Sequence, residues 1–248
     1  MRVKILGAWV DALKMEEAEE QIAGFVWSGC PHQVVTLNPE ILYRAQQEPE
    51  LLDLINHAHL VTADGTGVVW ACRIAGRPVP ERVTGIDLML RLVARSAKEG
   101  WRIFLLGGEP GVAQEAARRL QQQYPRLLIA GTCHGYFSST GSSSSRSEAE
   151  VIEMIRSSHP HLLFVGMGAP RQDQFIARNL NHLHVHVAMG VGGSFDVIAG
   201  KVTRAPAWMQ RMRVEWLGRL LKEPCRIKRV LVLPKFVWLV IRHSLSNR

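Results

Sequence analysis

Cysteine is scarce in these 248 residues, and the four present (Cys30, Cys72, Cys133 and Cys225) stand far apart with no Cys-x-x-Cys pair. That spacing excludes a zinc knuckle and a disulfide framework and leaves buried free thiols. Long apolar runs are missing too: residues 230–241 (VLVLPKFVWLVI) are interrupted by Pro234 and Lys235, and a crossing helix needs about 20 apolar residues. The opening MRVKILGAWVDALKMEE has no extended apolar core and no small-residue cleavage site, so no secretory signal is expected and the body reads as cytoplasmic. The chain carries no Asp-x-Asp, no His-Glu-x-x-His, no Gly-x-Ser-x-Gly, no Gly-x-x-x-x-Gly-Lys-[Ser/Thr] and no complete Gly-x-Gly-x-x-Gly. The familiar signatures of metal-dependent nucleotide-sugar enzymes, zinc peptidases, serine hydrolases, P-loop ATPases and dinucleotide oxidoreductases are thereby absent.

Positive charge is present in excess but in one place. Between Lys201 and Arg248 twelve Lys and Arg stand against Glu215 and Glu223, whereas the first 200 residues hold 18 basic and 20 acidic side chains. The net charge of +8 therefore belongs to the tail. Trp208, Trp216, Phe236 and Trp238 interleave with these cations, which suits an anionic lipid surface better than nucleic acid. With 47% hydrophobic residues the remainder can bury a full core.

Short apolar runs at 3–6, 34–37, 60–63, 103–106, 127–130, 162–165 and 185–189 read as strands. Helical periodicity covers 15–27, 40–57, 86–98, 111–123, 147–158 and 171–180. The alternation predicts an α/β, Rossmann-like fold with a largely parallel sheet flanked by helices. Ser147 and Glu150 form a capping box for one of these helices, and the Ser-rich stretch 138–145 before it reads as a surface loop. Past Gly200 only helices are expected, at 207–221, 224–233 and 235–243. The chain thus divides into an α/β catalytic domain over 1–200 and an all-helical, basic amphipathic membrane-associating appendage over 201–248.

In a parallel sheet ligands gather beyond the carboxyl ends of the strands, so the polar residues there are the candidates. Thr36, Asn38 and Glu40 come after one strand, Asp64 after another, Gly107 and Gly108 after a third, Gly166 to Asp173 after a fourth and Gly190 to Asp196 after a fifth. Asn38 before Pro39 fits a helix cap, and Asp64 fits either a cap for a helix starting at Thr66 or Gly67, or a general base held in a pocket. The glycines permit tight turns and a close approach of backbone N–H groups to phosphate. His182, His184 and His186 alternate as if on one strand face, which fits a half-exposed strand or a metal site; no neighbouring carboxylate or cysteine completes a ligand set.

Taken in order, Thr36-Leu37-Asn38-Pro39-Glu40, Thr62-Ala63-Asp64-Gly65, Arg82-Val83-Thr84-Gly85-Ile86-Asp87, Leu106-Gly107-Gly108, Gly166-Met167-Gly168-Ala169-Pro170-Arg171-Gln172 and Gly192-Gly193-Ser194-Phe195-Asp196 resemble the WecG/TagA/CpsF family of bacterial glycosyltransferases. Arg204-Ala205-Pro206, Glu215-Trp216, Arg219-Leu220 and Glu223-Pro224-x-Arg226 extend the resemblance into the tail. It implies a hexosyltransferase that moves N-acetylmannosamine or a related sugar, with inversion and without a metal or other cofactor. The donor is a UDP-sugar and the acceptor a polyprenyl-diphosphate-linked sugar for cell-surface polysaccharide or teichoic acid, met peripherally on the inner face of the plasma membrane. It also implies Asp64 as the catalytic base beside Thr36, Asn38 and Arg82, with Gly107, Gly108, Gly166, Gly168, Pro170, Gln172, Gly192, Gly193 and Asp196 binding substrate. Arg219, Arg226 and Arg229 would hold the diphosphate. Asp173 departs from the resemblance, which leads to Glu there. Metal-free departure of UDP also accounts for the missing Asp-x-Asp, since arginine forks and helix N-termini can meet that charge.

Two rival readings share part of this pattern. A dinucleotide oxidoreductase shares the alternation but lacks the fingerprint. A nucleic-acid-binding module shares the basic tail but not its aromatic and aliphatic content. Oligomeric state stays open, a second subunit being one way to cover a hydrophobic tail.

Overall fold

A computed structural model describes residues 1–137, 146–206, 209 and 231–246 of the chain. Six parallel strands form its centre: β3 (His32–Leu37), β4 (Leu60–Ala63), β5 (Arg102–Gly107), β6 (Leu128–Cys133), β7 (Leu162–Gly166) and β8 (Val187–Gly190), in the spatial order β4-β3-β8-β7-β5-β6. Every residue of β4 and β8 is buried, as expected of strands covered on both faces. The helices divide accordingly. Helices α1 (Met15–Ser28), α5 (Gly85–Glu99), α6 (Val112–Gln123) and α9 (Ser194–Ile198) share a core with Val34, Leu105, Phe164 and Met189. On the other face α2 (Pro39–Ala45), α3 (Pro49–His57) and α4 (Thr66–Ile74) cover Val35, Leu37 and Val61, while α7 (Glu148–Ser157) and α8 (Arg171–Asn179) cover Phe104, Leu163 and Ala188.

The winding sets the grooves. From β5 the chain runs outward through α6 to β6, and from β7 it runs inward through α8 to β8, the two helices lying on opposite faces. The β5–β7 boundary is therefore a switch point, open at the carboxyl ends. A second opening lies between β3, which leads into α2 on one face, and β8, which leads into α9 on the other.

The expected alternation is present, with corrections at its edges. The first apolar run does not join the sheet: β1 (Arg2–Ile5) and β2 (Ala8–Asp11) form an antiparallel hairpin. Leu6 and Gly7 at its tip both have positive φ, the geometry of the tight two-residue hairpin turn. The hairpin closes the β4 edge with side chains: Asp11 accepts the Val61 N–H at 2.8 Å, and Arg2 donates to the Ala58 and His59 carbonyls. The single helix expected over 40–57 is two, because Pro49 cannot donate inside a helix and holds Glu48 extended; it starts α3 instead. The strands expected at 127–130 and 185–189 lie at Leu128–Cys133 and Val187–Gly190. The capping box forms, Ser147 accepting from the Glu150 N–H and Glu150 from the Ser147 N–H, whereas the Ser-rich stretch 138–145 lies outside the described residues.

In the tail, 207–221 and most of 224–233 lie outside the described residues, apart from buried Met209. The expected break at Pro234 is absent: α10 (Val232–Ser246) runs through it, since a proline in the first turn removes no helical hydrogen bond. Phe236 and Val240 are buried where α10 packs on α2 and α4, and Trp238, Ile241 and Leu245 are exposed. Among the described residues no helix is long and apolar enough to cross a membrane.

The alternating histidines are not on a strand. His182 and His184 occupy an exposed turn, and His186 sits just before β8, at the amino end of the sheet. There it joins a row across four neighbouring strands: His59 before β4, His32 in β3, His186, and His161 before β7. Ring centroids lie 4.7 Å apart for His32 and His59 and 5.1 Å for His161 and His186. His32 and His186 donate from Nδ1 to the Cys30 and Val26 carbonyls, while Nδ1 of His59 and His161 accepts the Gln33 and Arg102 N–H groups. Desolvation, then a neighbouring histidine and an arginine, hold His59 and His161 below the usual imidazole range. Because the folded rings resist protonation, the unfolded chain takes up protons first as pH falls through about 6.5. The contribution of these two rings to stability is therefore full above that pH and declines below it, down to their lower folded values. In urea melts between pH 8 and 5 the stability of the wild type should fall relative to the His59→Asn, His161→Asn double variant, which keeps an acceptor at each Nδ1 position.

Candidate active site

The carboxyl ends of the strands stand in register: Leu37 beside Ala63, Val34 beside Met189, Val165 beside Gly190 and Gly107 beside Gly166. The turns and helix starts beyond them consequently meet along one line. Asn38 caps α2, its Oδ1 accepting the Ile41 N–H at 2.9 Å, with Pro39 at the first helical position. Thr36 is buried, and its hydroxyl donates to the Gly190 carbonyl at 3.1 Å, tying β3 to the β8 turn.

Asp64 does not cap the helix that comes after it. Gly65, at φ +100°, occupies that position without a side-chain bond, and Asp64 instead accepts the Gly85 N–H at 3.2 Å from the start of α5. Its own N–H donates to the Leu37 carbonyl at 2.8 Å, locking the half-buried residue onto the end of β3. The positive end of α5 thus faces a carboxylate that a different helix could have used locally. The backbone beside Arg82 is held at the end of β4, where the Val83 N–H donates to the Ala63 carbonyl at 3.1 Å.

Backbone crowding governs the centre of the row. A Cβ on Gly107, which has φ +143°, would lie 2.3 Å from the Gly166 oxygen, and one on Gly166 would lie 2.9 Å from the Gly192 oxygen. The Gly108 N–H donates to the Gly166 carbonyl, and the Val191 N–H to the Val165 carbonyl. Gln172, in the first turn of α8 after Gly168 and Pro170, accepts the Gly192 N–H at 2.9 Å. Gly193 and half-buried Asp196 complete this turn and the start of α9.

The structure therefore gathers Thr36, Asn38, Asp64, Arg82, Gln172 and the Gly190–Asp196 turn around the β4, β3 and β8 ends, and Gly107, Gly108, Gly166, Gly168 and Pro170 along β5 and β7. Arg219, Arg226 and Arg229 lie outside the described residues. Among the described residues no group of three or more His, Cys, Asp or Glu is placed to hold a metal ion.

One element of the site was not anticipated. Arg204 forks onto Asp87, at 2.7 and 2.8 Å, and Asp87 also accepts from Thr84, the cap of α5. Arg204 and Thr84 hold the Asp87 carboxyl below its usual range against the opposing effect of burial, which is the largest single influence. Lys201 pairs with Glu109 on the β5–α6 loop. The start of the tail is thus fastened to the start of α5 and to the β5–α6 loop. The Thr84-x-x-Asp87 spacing was a visible capping signal; its partner 117 residues away was not. Arg204 also borders a cleft of about 320 Å³ with Ile86, Leu90, Leu120 and Ile198, on the α5–α6–α9 flank rather than over the strand ends.

The model of the Glycosyl transferase WecG/TagA/CpsF family matches residues 3–248. Three curated relatives share the name N-acetylglucosaminyldiphosphoundecaprenol N-acetyl-beta-D-mannosaminyltransferase. The protein of Bacillus spizizenii is 36% identical over 86% of this chain and 80% of its own length. That of Staphylococcus aureus strain MW2 is 35% identical over 97% and 92%, and that of Bacillus subtilis strain 168 is 31% identical over 98% and 89%.

The crowding at Gly107 can be tested alone. Gly107→Ala combines an unfavourable φ with a backbone clash, and should lower the unfolding free energy by about 1–3 kcal/mol in denaturant titrations.

Proposed function

The chain belongs to the WecG/TagA/CpsF family of glycosyltransferases, and from that premise we propose that it transfers N-acetylmannosamine, or a closely related hexose, from a UDP-sugar to a polyprenyl-diphosphate-linked sugar. The rival readings as an oxidoreductase or a nucleic-acid-binding module give way to this one. The relatives' shared name supports the lipid-linked acceptor and the sugar. The observation that carries the chemistry is Asp64, a half-buried carboxylate at a strand end, fixed by the start of α5 and adjoining Thr36, Asn38 and Arg82.

The reaction is a single displacement. Asp64 takes the proton of the acceptor hydroxyl as its oxygen bonds to the anomeric carbon; the bond to the diphosphate oxygen breaks on the opposite face, and UDP leaves with the electron pair. The configuration inverts. The sequence holds no Asp-x-Asp, so the departing negative charge falls to backbone N–H groups of the glycine turns, the starts of α6 and α8, and arginine forks. No metal or other cofactor takes part, and a chelator should leave turnover unchanged.

Residues 1–200 act as the catalytic body and residues 201–248 as the basic appendage that brings it to anionic lipid on the inner face of the plasma membrane. Exposed Trp238, Ile241 and Leu245 on α10, with Arg242 over the Trp238 ring, fit an interfacial helix. The binding role of Arg219, Arg226 and Arg229 belongs to this proposal.

Asp64→Asn should cut turnover roughly 10²–10⁴-fold with an unchanged melting temperature, the range that general-base help supplies; near-wild-type turnover would sink the assignment. A panel of UDP-sugars with a diphospholipid GlcNAc acceptor, with product analysis, names the sugar and its anomer. Removal of 201–248 should release the protein from anionic vesicles and also impair transfer to a water-soluble acceptor. Unchanged transfer would reduce the appendage to an anchor.

A further inference from the structure

Asp173, in the first turn of α8, is 1% exposed, and neither carboxyl oxygen has a hydrogen-bond partner of normal geometry among the described residues. Such a group is costly to bury as a charge, and among the described residues no cation is placed to offset it. The elements packed on α8 are β3, β8, α3 and α7, whose Glu148 accepts from Asn179 in the last turn of α8. From β3 comes neutral Gln33, whose amide donates to the Asp173 backbone carbonyl at 3.0 Å. The buried residues of α3 are Leu51 and Ile55, and its Glu50, Asp53 and His57 are exposed; β8 offers Ala188 and Gly190. Burial accordingly pushes the Asp173 carboxyl up to about 7, further than its own backbone and the Gln172 amide pull it down.

Its position is informative. A Cβ on Gly190 would lie 2.4 Å from Gln172 Nε2 and 2.7 Å from Asp173 Oδ1, so both groups press on one point of the β8 backbone. Gln172 has its nitrogen on that side and its oxygen on the Gly192 N–H. Thr36 grips the Gly190 carbonyl as well. The turn between β8 and α9 is thus held from α8 and from β3, and Asp173 stands behind the first of these holds.

We propose that Asp173 is a positioning residue of the strand-end site: its carboxyl orients the Gln172 amide and, through it, sets the Gly190–Gly193 turn in the geometry that transfer requires. The catalytic half of this inference rests on the glycosyl-transfer reading above. As a neutral acid, Asp173 lies against the Gln172 amide, its Oδ1 and the Gln172 Nε2 crowding one point, without leaving a naked charge. Loss of its proton to solvent creates a charge that the Gln172 amide stabilises, so ionisation draws that amide towards Asp173 and away from the Gly192 N–H.

The test has two arms. In the substrate-free protein, NMR should show the Asp173 carboxyl carbon and the Gly192 amide titrating with one midpoint near 7, and the Gly192 amide should become flat in Asp173→Asn. In transfer assays, wild-type kcat/KM should fall as pH rises through the same midpoint, and that fall should vanish in Asp173→Asn. Asp173→Leu, which fills the space but orients nothing, should lose roughly tenfold or more in kcat/KM at pH 6 while melting no lower than wild type. A Gly192 amide that does not move in the wild type, or moves equally in Asp173→Asn, overturns the proposal. So do superimposable pH profiles, or an Asp173→Leu protein whose only defect is stability. If no UDP-sugar is turned over, the glycosyl-transfer reading fails while the NMR arm still decides the role of Asp173 in the turn.

Discussion

The carboxyl ends of β5, β7 and β8 approach so closely that no side chain fits among them. The Gly107 position faces the Gly166 carbonyl, Gly166 faces the Gly192 carbonyl, and Gly190 is pressed by Gln172 and Asp173. Parallel strands buried on both faces leave their last carbonyls and the next helices' first N–H groups to be satisfied at one rim. Here much of that rim is satisfied by neighbouring turns, as in the bonds from Gly108 to Gly166 and from Val191 to Val165. The side chains that remain are pushed to its flanks: Thr36, Asn38 and Asp64 on one side, Gln172 on the other. The groove's polarity is thus a consequence of backbone packing before any ligand is considered.

The same crowding bears on charge. On the proposed transfer a departing diphosphate needs compensation, which oriented dipoles and guanidinium groups can supply in a chain without an Asp-x-Asp pair. Asp64 works against that requirement, since an extra negative charge near a nucleotide is costly. Its bond to the Gly85 N–H aims it at the start of α5, and Asp87, a second carboxylate of that turn, is neutralised by the Arg204 fork. The beginning of the tail thereby belongs electrostatically to the site, whatever the rest of it does at a membrane.

Much of this was legible in the sequence because it is local. Asn38-Pro39 announces a cap, Ser147 to Glu150 a capping box, and alternating apolar runs the sheet, and each forms. Strand ends could be read from where apolar runs meet glycine, which is why the candidate residues fall along one rim. Illegible parts depend on distance or on competition. The Leu6-Gly7 turn makes a hairpin only because Asp11 and Arg2 find β4, some 50 residues on. Asp64 had an equally good local use as a cap, and only the arrival of α5 decides against it. Arg204 was one arginine in a basic tail until Asp87 selected it.

Asp64 and Asp173 show how environment, rather than residue type, allots roles. Both come after a strand and stand at or near a helix start. Asp64 is half exposed, beside the positive end of α5, a setting that suits the proposed base, which takes the proton of a bound hydroxyl. Asp173 is sealed beneath Gly190, among the described residues with amides and apolar groups around it, where a charge is penalised and a neutral acid is stable. A carboxyl kept from solvent cannot exchange protons with a substrate, but it can hold a neighbour's geometry as long as it stays uncharged. Two carboxyls held in such different surroundings would let one fold divide chemistry from support. The division here runs along the β3–β8 seam: Thr36, reaching from β3 to the Gly190 carbonyl, and Gln172, reaching from α8 to the Gly192 N–H, clasp the turn that lies between the two acids.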